Sequence, residues 1–227
     1  TAHDVISAMT IPERLAELAK LRRYILAHKE SIIDQIVSQT GKSRMDALLS
    51  EIFTVLDAID FYEKNAERIL RDETVKTPVL LLGKKSRIYY EPIGPVLMIT
   101  PWNYPFNLTL VPFVCAFVAA NAVVHKPSEH TPLKGLLEDI FKGSCFMKDV
   151  IQVVYGGKDT GRALIDEKPA KILFTGSVRA GRQVMAQAAE HLIPVELELG
   201  GKDAMVVFDD ANLERATNGA LWGGLTN

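Results

Sequence analysis

Apolar residues recur along this chain with two different periods. Up to about residue 70 they return every three or four positions, as Leu15, Leu18 and Leu21 do, which is the spacing of an amphipathic helix. From Val96 onward, short uninterrupted apolar runs alternate with helical patterns. Such runs are typical of parallel strands that are covered on both faces. The pattern therefore predicts a helical N-terminal part followed by an α/β part.

Three helices are predicted in the N-terminal part, where capping and stop signals separate the apolar stripes. The first begins at a capping box formed by Thr10 and Glu13. The three predicted ranges are 10–28, 31–39 and 43–70. We interpret all three helices as structural packing.

A β-hairpin is predicted between the helical part and the α/β part. Strand-like runs at 78–82 and 86–90 are joined by Gly83, Lys84 and Lys85, which have turn chemistry. The hairpin has no pairing partner in its immediate sequence. We therefore expect its partner in a second subunit or in a later part of the protein.

The α/β part predicts a Rossmann-like, doubly wound parallel sheet with helices on both faces. Strands are predicted at 96–100, 122–126, 151–155, 171–175 and 194–199. Helices are predicted at 106–120, 132–142, 160–166 and 180–189. A further strand at 204–208 and a helix at 212–222 indicate the start of a second α/β domain.

The charge-free stretch from Phe106 to Val124 approaches the ~20 residues of a membrane-spanning helix. It contains Asn107, Pro112 and Asn121, and it divides into a helix-like half and a β-branched half. We interpret it as a buried helix that leads into a buried strand, so no membrane span is expected.

The composition is that of an ordinary globular protein, with 48% hydrophobic and 24% charged residues. A net charge of -2 and a pI near 6.2 give no general attraction to nucleic acid or to anionic membranes. Two cysteines are too few for a disulfide framework, and the N-terminus has the pattern of an amphipathic helix, not of a signal peptide. These features predict a reducing, cytoplasmic location.

The candidate chemistry begins with the corner Thr100-Pro101-Trp102-Asn103-Tyr104-Pro105, which follows the first predicted parallel strand. Pro101 and Pro105 fix their own φ angles and restrict the residues before them. The stiff turn presents the amide of Asn103 at its tip, as an oxyanion hole requires. The alternative is a loop in which Asn103 only satisfies its own backbone.

Loops after other strands carry further candidates for the same edge of the sheet. Lys126 closes the second strand and is followed by Ser128 and Glu129, and an ammonium with a carboxylate three residues later is suited to ribose hydroxyls. The alternative is an exposed ion pair of little energetic value. The segment Thr175-Gly176-Ser177 precedes a helix start that is suited to a pyrophosphate.

Glycine spacing argues against a kinase or an ATPase. The G-x-G-x-x-G fingerprint is absent. The segments 156–161 and 176–181 match the first half of a P-loop, but Arg162 and Arg182 stand where its lysine would be. No hydroxyl for Mg²⁺ follows either arginine, so phosphoryl transfer is not favoured.

Glu196 and Glu198 lie in the last strand of the predicted sheet, just before Gly200. Glu198 is nearer to the carboxyl end, where a carboxylate in a partly dry crevice acts as a general base. Two carboxylates could also indicate glycoside hydrolysis or a metal site. The parallel sheet and the lack of histidine-rich ligand spacing argue against both.

Neither cysteine has the surroundings of a nucleophile. Cys115 lies in an apolar helix and is interpreted as a core residue, and Cys145 lies in a loop without a base nearby in the sequence. His125, His130 and His191 lack metal-ligand spacing and are interpreted as structural or surface residues.

Four motifs, which occur in the same order, resemble those of the aldehyde dehydrogenase superfamily over essentially the whole chain. They are Pro101-Trp102-Asn103-Tyr104-Pro105, His125-Lys126-Pro127-Ser128-Glu129, Phe174-Thr175-Gly176-Ser177 and Leu197-Glu198-Leu199-Gly200-Gly201-Lys202. Segments 86–89 and 188–202 are most similar to the dimeric branch that acts on fatty or aromatic aldehydes. The implied divisions are an N-terminal helical part of the cofactor-binding domain (1–76), an oligomerisation hairpin (77–95), an NAD(P)-binding domain (96–199) and the start of a catalytic domain (200–227).

The resemblance implies oxidation of an aldehyde to a carboxylic acid with NAD or NADP, through a thiohemiacetal and a thioester on a cysteine. Asn103 would donate to the oxyanion, and Glu198 would activate the hydrolytic water. Glu129 would favour NAD through the ribose hydroxyls, whereas Lys126 and Ser128 would admit a 2′-phosphate. The implied cofactor-binding residues are Thr100, Pro101, Trp102, Lys126, Ser128, Glu129, Gly156, Thr175, Gly176, Ser177, Leu199 and Gly200.

The same resemblance puts the catalytic cysteine in a Gly-Gln-x-Cys segment, which is expected just past Asn227. The chain by itself is therefore expected not to turn over its small-molecule aldehyde, and the full-length protein is expected to be a homo-oligomer, either a dimer or a tetramer. Two alternatives stay open: a non-catalytic nucleotide-binding fragment, and an acyl-phosphate or CoA-acylating reductase of similar fold. Glu198 argues against the CoA version, in which water activation is unwanted.

Overall fold

The first part of the chain is helical, as the period of its apolar residues predicts. The computed structural model describes residues 1–226, and Asn227, the last residue of the predicted second domain, lies outside the described residues. The helices are α1 (Ala2–Ala8), α2 (Ile11–Thr40), α3 (Arg44–Asp46) and α4 (Thr54–Ile69), with a π-helical segment (Ala47–Phe53) that joins α3 to α4.

Helix α2 is one continuous helix of 30 residues, so the prediction of two helices over 10–28 and 31–39 is wrong. Its buried side chains Ile25, Ile32 and Ile36 keep one apolar face across the expected break. Ser31 does not cap a new helix, because its hydroxyl donates to the His28 carbonyl within the same helix, at 2.9 Å. The predicted capping box at Thr10 is confirmed, and the helix ends at Gly41 with a left-handed φ of 72°.

The predicted hairpin pairs different strands from those expected. Strand β1 (Glu73–Val75) pairs antiparallel with β2 (Ser86–Ile88). The predicted strand at 78–82 is wrong, because Val79–Leu81 forms a single 3₁₀ turn in the connection. Its side chains have no sheet face to cover, and Leu80 is 97% exposed. The apolar run alone therefore did not make a strand, since a strand also needs a neighbour for its backbone hydrogen bonds.

Five parallel strands form the central sheet, as the apolar runs predict. They are β3 (Val96–Ile99), β4 (Val123–Lys126), β5 (Ile151–Val153), β6 (Lys171–Gly176) and β7 (Val195–Leu199). The spatial order is β5-β4-β3-β6-β7. The chain adds β4 and β5 on one side of β3, and then β6 and β7 on the other side, which is the doubly wound arrangement.

Helices cover both faces of this sheet. They are α5 (Asn107–Val118), α6 (Leu136–Gly143), α7 (Lys158–Asp166) and α8 (Val178–Glu190). Side chains of β3 alternate between two apolar clusters: Val96 and Met98 pack with α2, α4, α5 and α6, whereas Leu97 packs with α7 and α8. The N-terminal helices thus lie on the same face as α5.

The charge-free stretch forms α5 followed by β4, as predicted. Among the helices of residues 1–226, none has the length and apolar character to cross a membrane. The predicted helix near the end of the chain is confirmed as α9 (Leu213–Leu225). The predicted strand at 204–208 is wrong: no described strand pairs with it, and its apolar side chains are exposed.

A buried polar cluster lies beneath the carboxyl end of β3. His125 Nε2 is 2.9 Å from Thr100 Oγ1 and 3.1 Å from Thr109 Oγ1. Thr109 donates its own hydroxyl to the Pro105 carbonyl, so its oxygen accepts from His125, which assigns the imidazole proton to Nε2. Burial, assisted by the neighbouring Lys126 ammonium, lowers the pKa of His125 to about 3. The imidazole is therefore neutral in the folded chain at neutral pH.

This histidine predicts a dependence of stability on pH. Between its ordinary pKa of 6.5 and about 3, the unfolded chain binds a proton that the folded chain does not, so stability falls as pH falls through this window. We expect His125→Gln to remove about 2 kcal/mol of the stability difference between about pH 7 and about pH 5. Urea unfolding of both proteins across this range measures it. Parallel stability curves for the two proteins would contradict the assignment.

Candidate active site

A cleft of about 1200 Å³ opens at the carboxyl ends of β3, β4, β6 and β7. Its floor lies where β3 pairs with β6, the point at which the order of strands reverses. Ligands in open α/β sheets bind at such a point, because the loops that leave the two strands turn to opposite faces. The geometry of the sheet therefore selects this cleft as the candidate site.

The residues predicted from the sequence come together in this cleft, with one exception. Its lining includes Thr100, Pro101, Trp102, Asn103, Lys126, Ser128, Glu129, Thr175, Gly176, Ser177, Glu198, Leu199 and Gly200. Gly156 is not part of this lining. Its φ is +155°, and a Cβ at this position would lie 2.0 Å from Thr160 Oγ1, so the turn into α7 by itself requires a glycine. A contact between Gly156 and a cofactor stays a prediction.

The corner that carries Asn103 is held on both sides by hydrogen bonds to its carbonyls. Thr131 Oγ1 donates to the Trp102 carbonyl at 2.6 Å, and Thr109 Oγ1 donates to the Pro105 carbonyl at 2.8 Å. The Asn103 amide lines the cleft and has no hydrogen-bond partner within residues 1–226. The alternative in which it satisfies its own backbone is therefore not observed, and its N–H groups are free to donate into the cleft.

Lys126 and Glu129 form an ion pair at the end of β4, with 3.2 Å between Nζ and Oε2. The Lys126 side chain is 6% exposed and that of Glu129 is 51% exposed, so the pair is not the fully exposed one considered above. Donation from its own backbone amide, followed by the Lys126 ammonium, lowers the pKa of Glu129. The carboxylate is thus ionised and lines the cleft, where it can accept hydrogen bonds from a diol.

Helix α8 begins at the cleft. Ser177 is its N-cap, and the Ser177 hydroxyl accepts from the Ala180 amide at 3.2 Å. A Cβ at Gly181 would lie 2.6 Å from Leu199 Cδ2, so glycine allows α8 to pack closely on the end of β7. The amides and the positive dipole end at this terminus favour an anionic group.

Glu198 and Glu196 have different surroundings, although both lie in β7. Glu198 lines the cleft, and its strand position pairs with Thr175 of β6. Glu196 instead forms an ion pair with Lys171, at 2.6 Å between Oε2 and Nζ. Of the two glutamates of β7, Glu198 is therefore the one that can act as a base in the cleft.

Both cysteines lie outside the lining of the cleft. Cys115 is partly buried and not fully in the core; its thiol contacts the Tyr62 hydroxyl at 3.2 Å, and burial raises the pKa of Cys115. Cys145 is exposed at the edge of a separate cavity of about 430 Å³. Residues 1–226 contain no group of three or more side chains that would hold a metal ion.

Several residues of the cleft were missed in the sequence. Basic and amide side chains on α7 and α8 line it, namely Lys158, Arg162, Arg179, Gln183 and Gln187. A usable signal was present, because each lies in a helix that directly follows one of the strand ends. Their charge suits a phosphate-containing ligand.

Comparison with known proteins agrees with this geometry. Residues 1–227 match the aldehyde dehydrogenase family. The chain is 43% identical over 221 residues to 4,4'-diapolycopene aldehyde oxidase of Methylomonas sp, with 96% of this chain and 42% of that protein covered. It is 38% identical over 214 residues to the dimeric NADP-preferring aldehyde dehydrogenase of Mus musculus, with 94% and 47% covered. The chain thus spans about half the length of the curated relatives that it matches.

A solved structure is similar to this chain in both fold and sequence. The NAD+ complex of aldehyde dehydrogenase from Bacillus cereus superposes with a TM-score of 0.88 at 31% identity, covering 96% of this chain and 44% of that one. The cleft of this chain presents an ionised carboxylate at Glu129 and the N-terminus of a helix at Ser177. The family predicted from the four motifs is confirmed, and the chain belongs to the aldehyde dehydrogenase family.

Proposed function

We propose that this chain supplies the cofactor-binding part, the oxyanion donor and the general base of an enzyme that oxidises an aldehyde to a carboxylic acid with NAD+ or NADP+. One observation carries the proposal: the free Asn103 amide and the Glu198 carboxylate line the same cleft as the Lys126–Glu129 pair. An amide donor and a base on one cleft match a reaction that passes through a thiohemiacetal and a thioester.

Cofactor binding is assigned to the strand ends and to α8. Glu129 accepts hydrogen bonds from the adenosine ribose, and the amides at the start of α8 receive the pyrophosphate. A nicotinamide held by these residues would supply the acceptor for the hydride that leaves the substrate carbon. Glu129 favours NAD+, because its ionised carboxylate repels a 2′-phosphate, while Lys126 and Ser128 offset part of that repulsion.

Asn103 and Glu198 are assigned the two steps that involve charge and protons. When a thiolate attacks the aldehyde, negative charge develops on the carbonyl oxygen, and the Asn103 N–H donates to it from a corner that is already rigid. Glu198 takes a proton from the water that hydrolyses the thioester. A carboxylate that activates water argues against transfer of the acyl group to CoA.

The nucleophile is proposed to come from outside these residues, because neither Cys115 nor Cys145 lines the cleft. We therefore propose that the chain binds nucleotide and does not turn over by itself. Because no cysteine of this chain lines the cleft, a second candidate function is a non-catalytic nucleotide-binding module. Assembly through the hairpin of β1 and β2 into a homo-oligomer, and a cytoplasmic location, stay predictions.

Nucleotide binding should depend on Glu129. We expect the chain to bind NAD+, and Glu129→Gln to weaken that binding about 10-fold, because a hydrogen bond to a charged acceptor is lost. NADP+ binding should weaken less or improve, since the repulsion of the 2′-phosphate is relieved. Calorimetric titration with both nucleotides measures these affinities.

Glu196→Gln is the matched control, because it changes an ion-paired carboxylate of β7 that does not line the cleft. Its affinity for both nucleotides should equal that of the unchanged chain. A chain that binds neither nucleotide would refute the proposed function, and equal losses for NAD+ and NADP+ would refute the role of Glu129.

Turnover should be absent from the chain by itself. Mixed with NAD+ or NADP+ and an aldehyde, it should form no reduced nicotinamide at an ordinary enzyme rate of about 1 s⁻¹ or more. Absorbance of the reduced nicotinamide measures this. If turnover is seen and is lost in Cys145→Ser or Cys115→Ser, the nucleophile is that cysteine, contrary to the proposal.

A further inference from the structure

Glu51 is a fully buried carboxylate in the π-helical segment between α3 and α4. Its Oε1 lies 2.9 Å from Nζ of Lys42, whose side chain is 7% exposed. Replacing a buried ion pair by apolar residues is often neutral or stabilising, because both charges have lost their hydration. The pair is therefore not explained by stability alone, which directs attention to what else it touches.

The second oxygen of Glu51 contacts the helix that follows the Asn103 corner. Oε2 accepts from the amides of Phe106 and Asn107, at 3.0 and 2.8 Å. These amides lie at the start of α5, where N–H groups have no partner within their own helix. No side chain from α5 caps its start, so a carboxylate from another helix does so, and the positive end of the α5 dipole favours its charge.

Lys42 contacts the corner itself. Its Nζ lies 3.6 Å from the centre of the Tyr104 ring, the position of a cation–π contact. Tyr104 directly follows Asn103 in the sequence. One buried pair therefore contacts the residue next to Asn103 and, through Glu51, the residues at the start of α5.

The π-helical geometry brings a second acceptor to the same place. Asn107 Nδ2 donates to the Ser50 carbonyl at 2.9 Å, next to the bond that Glu51 accepts from the Asn107 backbone. A π-helical turn contains an additional residue compared with an α-helical turn, and such turns are frequent at functional sites. Here it directs both Ser50 O and the Glu51 carboxylate at the start of α5.

We propose that Lys42 and Glu51 are positioning residues for Asn103: the buried pair fixes the corner from the side of the N-terminal helices, in addition to the Thr131 bond to Trp102. The inference rests on the proposed function, in which Asn103 is the oxyanion donor. It assigns a purpose in the reaction to helices that the sequence indicates only as packing. Neither residue contacts the cleft, so neither is a catalytic residue.

The test uses Lys42→Met/Glu51→Gln, which removes both charges together and keeps one amide oxygen as an acceptor. We expect amide exchange at Phe106 and Asn107 to become about 10- to 100-fold faster, because a charge-assisted bond to each amide is lost or weakened. The NMR signals of the Asn103 side-chain amide should shift and broaden. Affinity for NAD+ should stay within about twofold of the unchanged chain, since the groups that hold the adenosine and pyrophosphate are not altered.

Ile59→Ala is the matched control. Ile59 is fully buried on α4, which packs on α5, and its side chain has no charge or hydrogen-bonding group that could act on the corner or on the ion pair. It should lower global stability and leave the Asn103 signals unchanged. If the control and the double variant accelerate exchange at Phe106 and Asn107 equally after correction for global stability, the pair is only structural and the inference fails. An unchanged Asn103 signal in the double variant has the same meaning.

Tyr104→Leu tests the inference if the double variant does not fold. This change removes the ring beneath Lys42 and keeps the ion pair and its bonds to α5. The Asn103 signals should shift while exchange at Phe106 and Asn107 stays within about twofold, because the cap is intact. Unchanged Asn103 signals would refute the part played by Lys42. Loss of NAD+ binding by the unchanged chain would refute the proposed function. It would leave the positioning role of Lys42 and Glu51 to be decided by the exchange data.

Discussion

Parallel pairing of β3 with β6 is the constraint on which the site depends. Ile99 is in register with Phe174 on one side and with Lys126 on the other, so β3 and β4 end at the same level and β6 continues two residues further, to Gly176. The chain leaves these ends toward opposite faces, because α5 packs on one face and α8 on the other. The space between the departing loops is the cleft, and the groups to which we assign chemistry line it.

Buried polar groups hold the most important part of that rim, the Asn103 corner. Thr131 bonds to one carbonyl, Thr109 bonds to another, and Glu51 caps the helix that follows. The hydrogen bond that each of these groups makes offsets the free-energy cost of removing it from water. The Asn103 amide has no partner within residues 1–226, and in the proposed role as oxyanion donor its rigid position would need no reorganisation when charge develops.

The local pattern of apolar residues predicted two kinds of element well: strands buried on both faces and helices buried along one face. The five parallel strands and the amphipathic faces of α2 and α4 follow from it. The pattern failed where a strand needs a neighbouring strand, because it does not reveal whether one is present. Apolar runs at 78–82 and 204–208 resemble strands, but no described strand lies beside either one, so they form none. The break expected at 28–31 failed for another reason: a single apolar face continues through it.

For the site, the sequence by itself determined which chemical groups stand at the strand ends: an amide at Asn103, an ammonium and a carboxylate at Lys126 and Glu129, and a carboxylate at Glu198. Strand direction puts those ends on one edge, so their meeting in a cleft was predictable. Only the tertiary structure decided which groups hold them. Glu51 reads as one more charge on an amphipathic helix, and it becomes a cap for α5 because packing buries it against amides more than fifty residues away.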